Sequence, residues 1–154
     1  MSKRPLPHVN PVTKPYWDGC TRGELVIQLC RNSACGKYVF YPRVCCPHCN
    51  GGDLEWERIS GKGVIASYTL VHRPQHEAFY QETPVCFIAV RLDEGPILYS
   101  QLLDKPADVE LVEAPVEVVF QEVAPGSSLP YFRLLGASKG AAAKANPDGQ
   151  EAYV

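Results

Sequence analysis

Hydrophobic positions in this chain come in short runs, and the spacing inside each run separates strand from helix. From residue 54 onward the runs are LEWERI, joined through GKG to VIASYTLV, then VCFIAVRL, PILYSQLL, VEVVFQEV and PYFRLL. They are rich in β-branched and aromatic residues, the composition of strands. In VEVVFQ, Val116, Val118 and Phe120 fall on one face and Glu117 and Gln121 on the other, the period of two that a half-buried strand requires. Asp93-Glu94-Gly95 breaks the pattern between the second and third strands and offers a glycine for a hairpin turn. Five short strands without a long helix predict a small Greek-key barrel of the OB type over residues 54–136. Upstream, ELVIQLC at 24–30 and KYVFYP at 37–42 are the strand-like arms of a smaller ribbon over 24–53. A short helix is expected over 14–22, with Thr13 as its cap, Pro15 in its first turn and Gly23 as its stop. Tyr16 and Trp17 supply its buried face; Gly19 works against it. Residues 1–12 are Pro-rich and irregular, so 1–23 form an arm and helix, and the tail 137–154 has no apolar period and is expected to be disordered.

Composition narrows the class. At 154 residues and 45% hydrophobic, the chain suffices for one ordinary core plus a small appended module. No apolar run approaches the roughly 20 residues of a membrane helix, and MSKRPLPHVNP has no apolar segment after its two basic residues. The expected location is the cytoplasm, where clustered cysteines more often bind metal than form disulfides. Fifteen basic against seventeen acidic residues, with no Lys/Arg stripe, argue against a nucleic-acid surface.

The cysteines carry the sharpest chemistry. They stand at 20, 30, 35, 45, 46, 49 and 86. Cys30, Cys35, Cys46 and Cys49 form two close pairs ten residues apart, the arrangement in which a small ribbon holds one tetrahedral ion. Gly36 follows the first pair and Asn50-Gly51 the second. Both endings tolerate positive φ, which lets the loop curl and aim N–H groups at the sulfurs. In VCCPHCN this parallel selects Cys46, which has the compact two-residue spacing to Cys49, and leaves Cys45 spare. Four thiolates favour Zn²⁺ or iron, and a closed sulfur shell leaves no position for substrate, so the expected metal is a structural Zn²⁺.

The ordered series TKPYWDGCTRGELVIQLC, FYPRVCCPHC, SGKGVIASYTLVHRP, PVCFIAVRLDEGPILYSQL, APVEVVFQEV and LPYFRLLG resembles the zinc-ribbon/OB-fold family of acyl-CoA-associated proteins, long known only as a domain of unknown function. The resemblance covers residues 13–136. It implies a helical segment and a rubredoxin-like ribbon ahead of the barrel, with Cys30, Cys35, Cys46 and Cys49 as the metal ligands. It also implies a partner: family members accompany thiolases, thiolase-like aldolases or hydratases acting on CoA thioesters, among them thiolases of aromatic-acid degradation such as benzoylsuccinyl-CoA thiolase. Two departures stand out. The first knuckle encloses four residues instead of two, and Val112-Glu113-Ala114-Pro115 replaces a turn that often carries glycine.

No catalytic constellation is visible. Cys86 with His72 or His76 has the atoms of a Cys–His pair, but Cys86 lies inside the apolar run VCFIAV. The expected role is a non-catalytic accessory subunit beside a thiolase-like catalytic chain, with a coenzyme A thioester as shared ligand. Lys62, His72, Arg73, Phe79 and Tyr80, on or near the loop after the first barrel strand, are the candidate CoA contacts, cations for phosphates and aromatics for the apolar parts. Tyr16 and Trp17 are the candidate partner anchors. A nucleic-acid-binding ribbon/OB protein and a small electron carrier with iron in the sulfur site are the alternatives.

Overall fold

The structure, a computed structural model, describes residues 4–104 and 110–136; the tail expected to be disordered lies outside the described residues. The elements run α1 (Lys14–Arg22), β1 (Val26–Cys30), β2 (Tyr38–Val39), β3 (Leu54–Arg58), β4 (Lys62–Val71), a 3-10 helix (Glu77–Glu82), β5 (Val85–Leu92), β6 (Ile97–Leu102), β7 (Pro115–Ala124) and β8 (Ser127–Leu134). Strands β2-β1-β3 form one antiparallel sheet, and β4-β5-β6-β8-β7 close into a barrel. Among the described residues only the β6–β8 contact, Leu102 opposite Phe132, is parallel. This is the mainly-β fold of ribbon plus five-stranded OB barrel that the patterning predicts.

One strand changes partners relative to the sequence reading. LEWER was expected to open the barrel, but it pairs with β1 from Val26 opposite Arg58 to Cys30 opposite Leu54. Alternation identifies a strand without naming its neighbour. The chain turns away at Gly61, whose φ is +70°, and the barrel begins only at Lys62.

The helix lies where expected, with a different cap. Thr13 occupies the cap position, yet its hydroxyl bonds no helix N–H. Asn10 holds the turn that enters the helix: its Oδ1 accepts from Val12 N at 3.0 Å and Thr13 N at 3.0 Å, its carbonyl oxygen accepts from the first helical N–H, Lys14 N, at 2.8 Å, and Thr13 Oγ1 accepts from Asn10 N at 3.1 Å. Gly23 ends the helix at φ +77°. Gly19 is there for proximity: a Cβ would lie 2.7 Å from Val26 Cγ2, so glycine lets α1 settle on β1.

One apolar core unites all parts. Tyr16 and Cys20 of the helix, Leu25, Ile27 and Ile59 at the root of the ribbon, and Ile65, Ile88, Val90, Leu98, Val116 and Phe132 of the barrel pack together. Each large buried side chain contributes about 1.5–3 kcal/mol. The turn that departs from the glycine pattern places Glu113 itself at φ +63°. Arg91 grips its carboxylate at 3.0 and 3.1 Å, which helps hold a conformation costing a non-glycine residue about 1–2 kcal/mol. Among the described residues no helix is long and apolar enough to cross a membrane.

Candidate functional site

A second, smaller cluster of Cys30, Val39 and Cys46, with Cys35, Cys49 and Leu54 against it, occupies the tip of the ribbon. Both knuckles curl as the sequence requires. In the first, Asn32 O accepts from Cys35 N at 2.8 Å and Gly36 N at 3.0 Å; in the second, Cys46 O accepts from Asn50 N at 2.8 Å. Gly36 and Asn50 both have φ +60°. The sulfurs receive donors in turn: His48 N lies 3.4 Å from Cys46 Sγ and Asn32 Nδ2 3.8 Å from Cys49 Sγ. All four Sγ atoms lie within 4.8 Å of one another, with Cys30–Cys49 at 3.6 Å and Cys35–Cys46 at 3.7 Å. Zinc–sulfur bonds of about 2.3 Å set sulfurs about 3.8 Å apart in a tetrahedron, so these residues fit a closed Zn²⁺ site. The longer first knuckle reaches the same geometry.

The surroundings act differently on the individual thiols. Burial acts most on both Cys30 and Cys46. It prevails at Cys30, pushed up to about 12. At Cys46 the N–H groups of His48 and Cys49 and the neighbouring sulfurs outweigh it, and the thiol falls to about 7. Arg31, beside the first knuckle, is held by Glu55 at 2.7 Å and by Glu57.

The remaining cysteines separate by exposure. Cys45 is exposed, beside the exposed Val44. Cys20 is buried and pushed up to about 12, chiefly by burial; Cys86 is 4% exposed and also raised by burial. His76 is committed locally, its Nδ1 accepting from Ala78 N at 3.2 Å. With zinc bound, iodoacetamide at pH 8 is therefore expected to label Cys45 alone, as read by peptide mass spectrometry. Rapid labelling of Cys86 would contradict this burial.

The candidate CoA contacts are not brought together. Lys62 begins β4, whereas His72 and Arg73 follow its other end, about 30 Å away along the strand. A shared strand gives proximity in sequence and distance in space. Phe79 is half-buried, with the Arg4 guanidinium 4.7 Å from its ring centre, and Arg4 also bonds Glu82 and Tyr131. His72, Arg73 and Tyr80 remain exposed on one loop.

Tyr16 is a correction. At 2% exposure it is core, its ring against Trp17 at 4.7 Å and Phe40 at 5.4 Å. It anchors the helix and is unavailable to a partner. Trp17, partly buried, faces a hollow of about 250 Å³ beside Leu6 and Val9.

Two exposed aromatics escaped the sequence reading. Phe87 and Tyr99 stack on the outer face of β5 and β6, centroids 6.1 Å apart and planes 5° from parallel. Their signal was present: each occupies the outward phase of its strand, between inward Cys86 and Ile88 and between Leu98 and Ser100.

Known proteins match this arrangement. The family model described as ChsH2, rubredoxin-like zinc ribbon domain, matches residues 17–55, and that of the ChsH2 C-terminal OB-fold domain matches residues 56–121. A DUF35 domain-containing scaffold protein of Methanothermobacter thermautotrophicus is 38% identical over 90 residues, 58% of this chain and 67% of that protein. The chain belongs to the DUF35 family. A probable enoyl-CoA hydratase alpha subunit of Thermomonospora curvata is 34% identical over 130 residues, 84% of this chain, but the chain spans only 40% of that protein's length. Among solved structures, a chain of the Ltp2-ChsH2(DUF35) aldolase superposes with TM-score 0.73 at 33% identity, covering 83% of this chain and 98% of that one. A DUF35 protein of unknown function from Sulfolobus solfataricus, at TM-score 0.55 and 16% identity over 82% of this chain and 87% of its own, shares the fold.

Proposed function

We propose that this DUF35 chain is a non-catalytic subunit of a thiolase-superfamily enzyme acting on acyl-CoA thioesters. The observation that carries the reading is the similarity over 98% of a chain of the Ltp2-ChsH2(DUF35) aldolase. The zinc, held by four cysteines, organises the ribbon and offers no open coordination position. The catalytic cysteine and histidine come from the partner. This chain completes the assembly and shapes the acyl-CoA entrance with His72, Arg73 and Tyr80, which share one exposed loop. A cation there meets a CoA phosphate in a charge-assisted hydrogen bond. Nucleic acid fits the surface poorly: Arg4, Arg22, Arg31, Arg58, Arg91 and Arg133 all face carboxylates.

Co-expression with a thiolase-like protein encoded beside it is expected to give one species in gel filtration and acyl-CoA turnover that neither chain has alone. Separate elution at micromolar concentration, with the thiolase-like chain fully active unaided, would overturn the reading.

A further inference from the structure

Strand β4 has different neighbours at its two ends. Lys62, Gly63 and Val64 pair with β5 on one side and with β7 on the other. From Ser67 to Val71 the strand still pairs with β5, but among the described residues no strand pairs with its other edge. The side chains record the same opening. Tyr68 and Leu70 stand opposite Ile88 and Cys86, which are buried, yet they are 38% and 48% exposed, since no strand among the described residues continues the barrel wall beyond them. Ser67 and Thr69, on the outer face, are exposed too. Four consecutive residues of a ten-residue strand are thus exposed, in the uncharged, β-prone sequence Ser-Tyr-Thr-Leu-Val. Such an edge is a template for another extended backbone, and proteins normally blunt it with charge, proline or a cover. Residues 67–71 hold neither charge nor proline, and no strand among the described residues covers their free edge.

The adjoining outer face extends the same strip. Ser67, Thr69 and Ala89 floor a hollow of about 240 Å³ walled by Tyr68 and by the Phe87–Tyr99 stack. Its lining carries no charge. Two charged residues of the neighbouring elements are engaged elsewhere, Arg91 with Glu113 and Glu82 with Arg4. A phosphate-bearing ligand finds no free cation in it, and the hollow is below the roughly 300 Å³ usual for a small-molecule site. What the strip offers is backbone donors and acceptors beside a slot for one or two apolar side chains, the chemistry of strand addition.

We infer that the free edge of β4 over residues 67–71, with the Phe87–Tyr99 slot beside it, docks an extended apolar segment of the thiolase-like subunit. The inference rests on the reading of this chain as that enzyme's accessory subunit. Strand addition there seats the partner at the strand that leads directly into His72 and Arg73, so docking and the acyl-CoA entrance are mechanically continuous.

Hydrogen–deuterium exchange on the full-length chain, alone and in complex with the thiolase-like subunit identified by co-expression, tests this. Amides of 67–71 are expected to exchange at least tenfold more slowly in the complex. Leu70→Lys and Tyr99→Lys are expected to raise the Kd at least tenfold, while Val44→Lys, at an exposed apolar position in the ribbon, leaves it unchanged; zinc content and melting temperature confirm that each variant folds. A complex that forms equally well with both edge variants, without protection at 67–71, overturns the docking site and leaves the accessory-subunit reading standing. No complex with the wild-type chain removes both. A wild-type homodimer that Leu70→Lys converts to monomer assigns the edge to a second copy, and oligo(dT) binding abolished by Tyr99→Lys assigns the face to single strands; either result also overturns the inference.

Discussion

Cys46→Ser is expected to lose the metal and, with it, the order of the ribbon tip, whereas Cys45→Ser keeps one zinc per chain. The two residues are neighbours, but Cys46 is fully buried with its sulfur 3.7 Å from Cys35 Sγ, and Cys45 is exposed. Structural zinc contributes on the order of 10 kcal/mol of apparent binding free energy in small zinc domains. The ribbon tip has only a small apolar cluster of its own, built largely from the ligands, to set against that loss. Zinc content by mass spectrometry should fall from about one per chain to near zero in Cys46→Ser. Amide protection at the ribbon tip, residues 30–50, should fall with it, while the barrel and the ribbon root, which share the main core, stay folded. Retained zinc in Cys46→Ser together with loss in Cys45→Ser would reverse the assignment.

Gly63→Ala is expected to destabilise the barrel by about 3 kcal/mol, the upper range for overpacking a tight site. A Cβ there would stand 2.3 Å from Arg91 O and 2.9 Å from Leu92 Cα, both backbone atoms of the paired strand. Neither can move aside without opening the β4–β5 ladder. Gly52→Ala is the control, since nothing lies within 4 Å of its Cβ position and its φ is not positive. Urea denaturation of the zinc-loaded proteins measures both. Equal midpoints for wild type and Gly63→Ala would show that the ladder relaxes without cost.

The metal centre was legible because its determinants are local. Ligand type, close pair spacing and a left-handed residue after each pair all lie within 21 consecutive positions, and Gly36 and Asn50 adopt the φ that the spacing demands. The helix stop at Gly23 and the hairpin at Gly95 were legible for the same reason. Alternation likewise marked the strands and their buried faces, since side-chain direction follows from backbone pleat alone.

Which elements meet is a long-range matter, and there the chain alone was silent. Leu54–Arg58 alternates like a barrel strand but joins the ribbon, because hydrogen-bond partners are chosen by packing across the whole core. Tyr16 looked like an anchor for a partner and is core, because α1 settles over β8 and β1. Lys62 and Arg73, eleven residues apart in sequence, are separated by the length of β4. The free edge of that strand was hidden for the same reason: its residues are strand-forming with one neighbour or two, and only closure of the barrel leaves Ser67–Val71 with β5 alone among the described residues. Local chemistry and backbone pleat were thus set by the sequence itself, while strand partnership, burial of the helix and exposure of the β4 edge were decided by how the elements share one core.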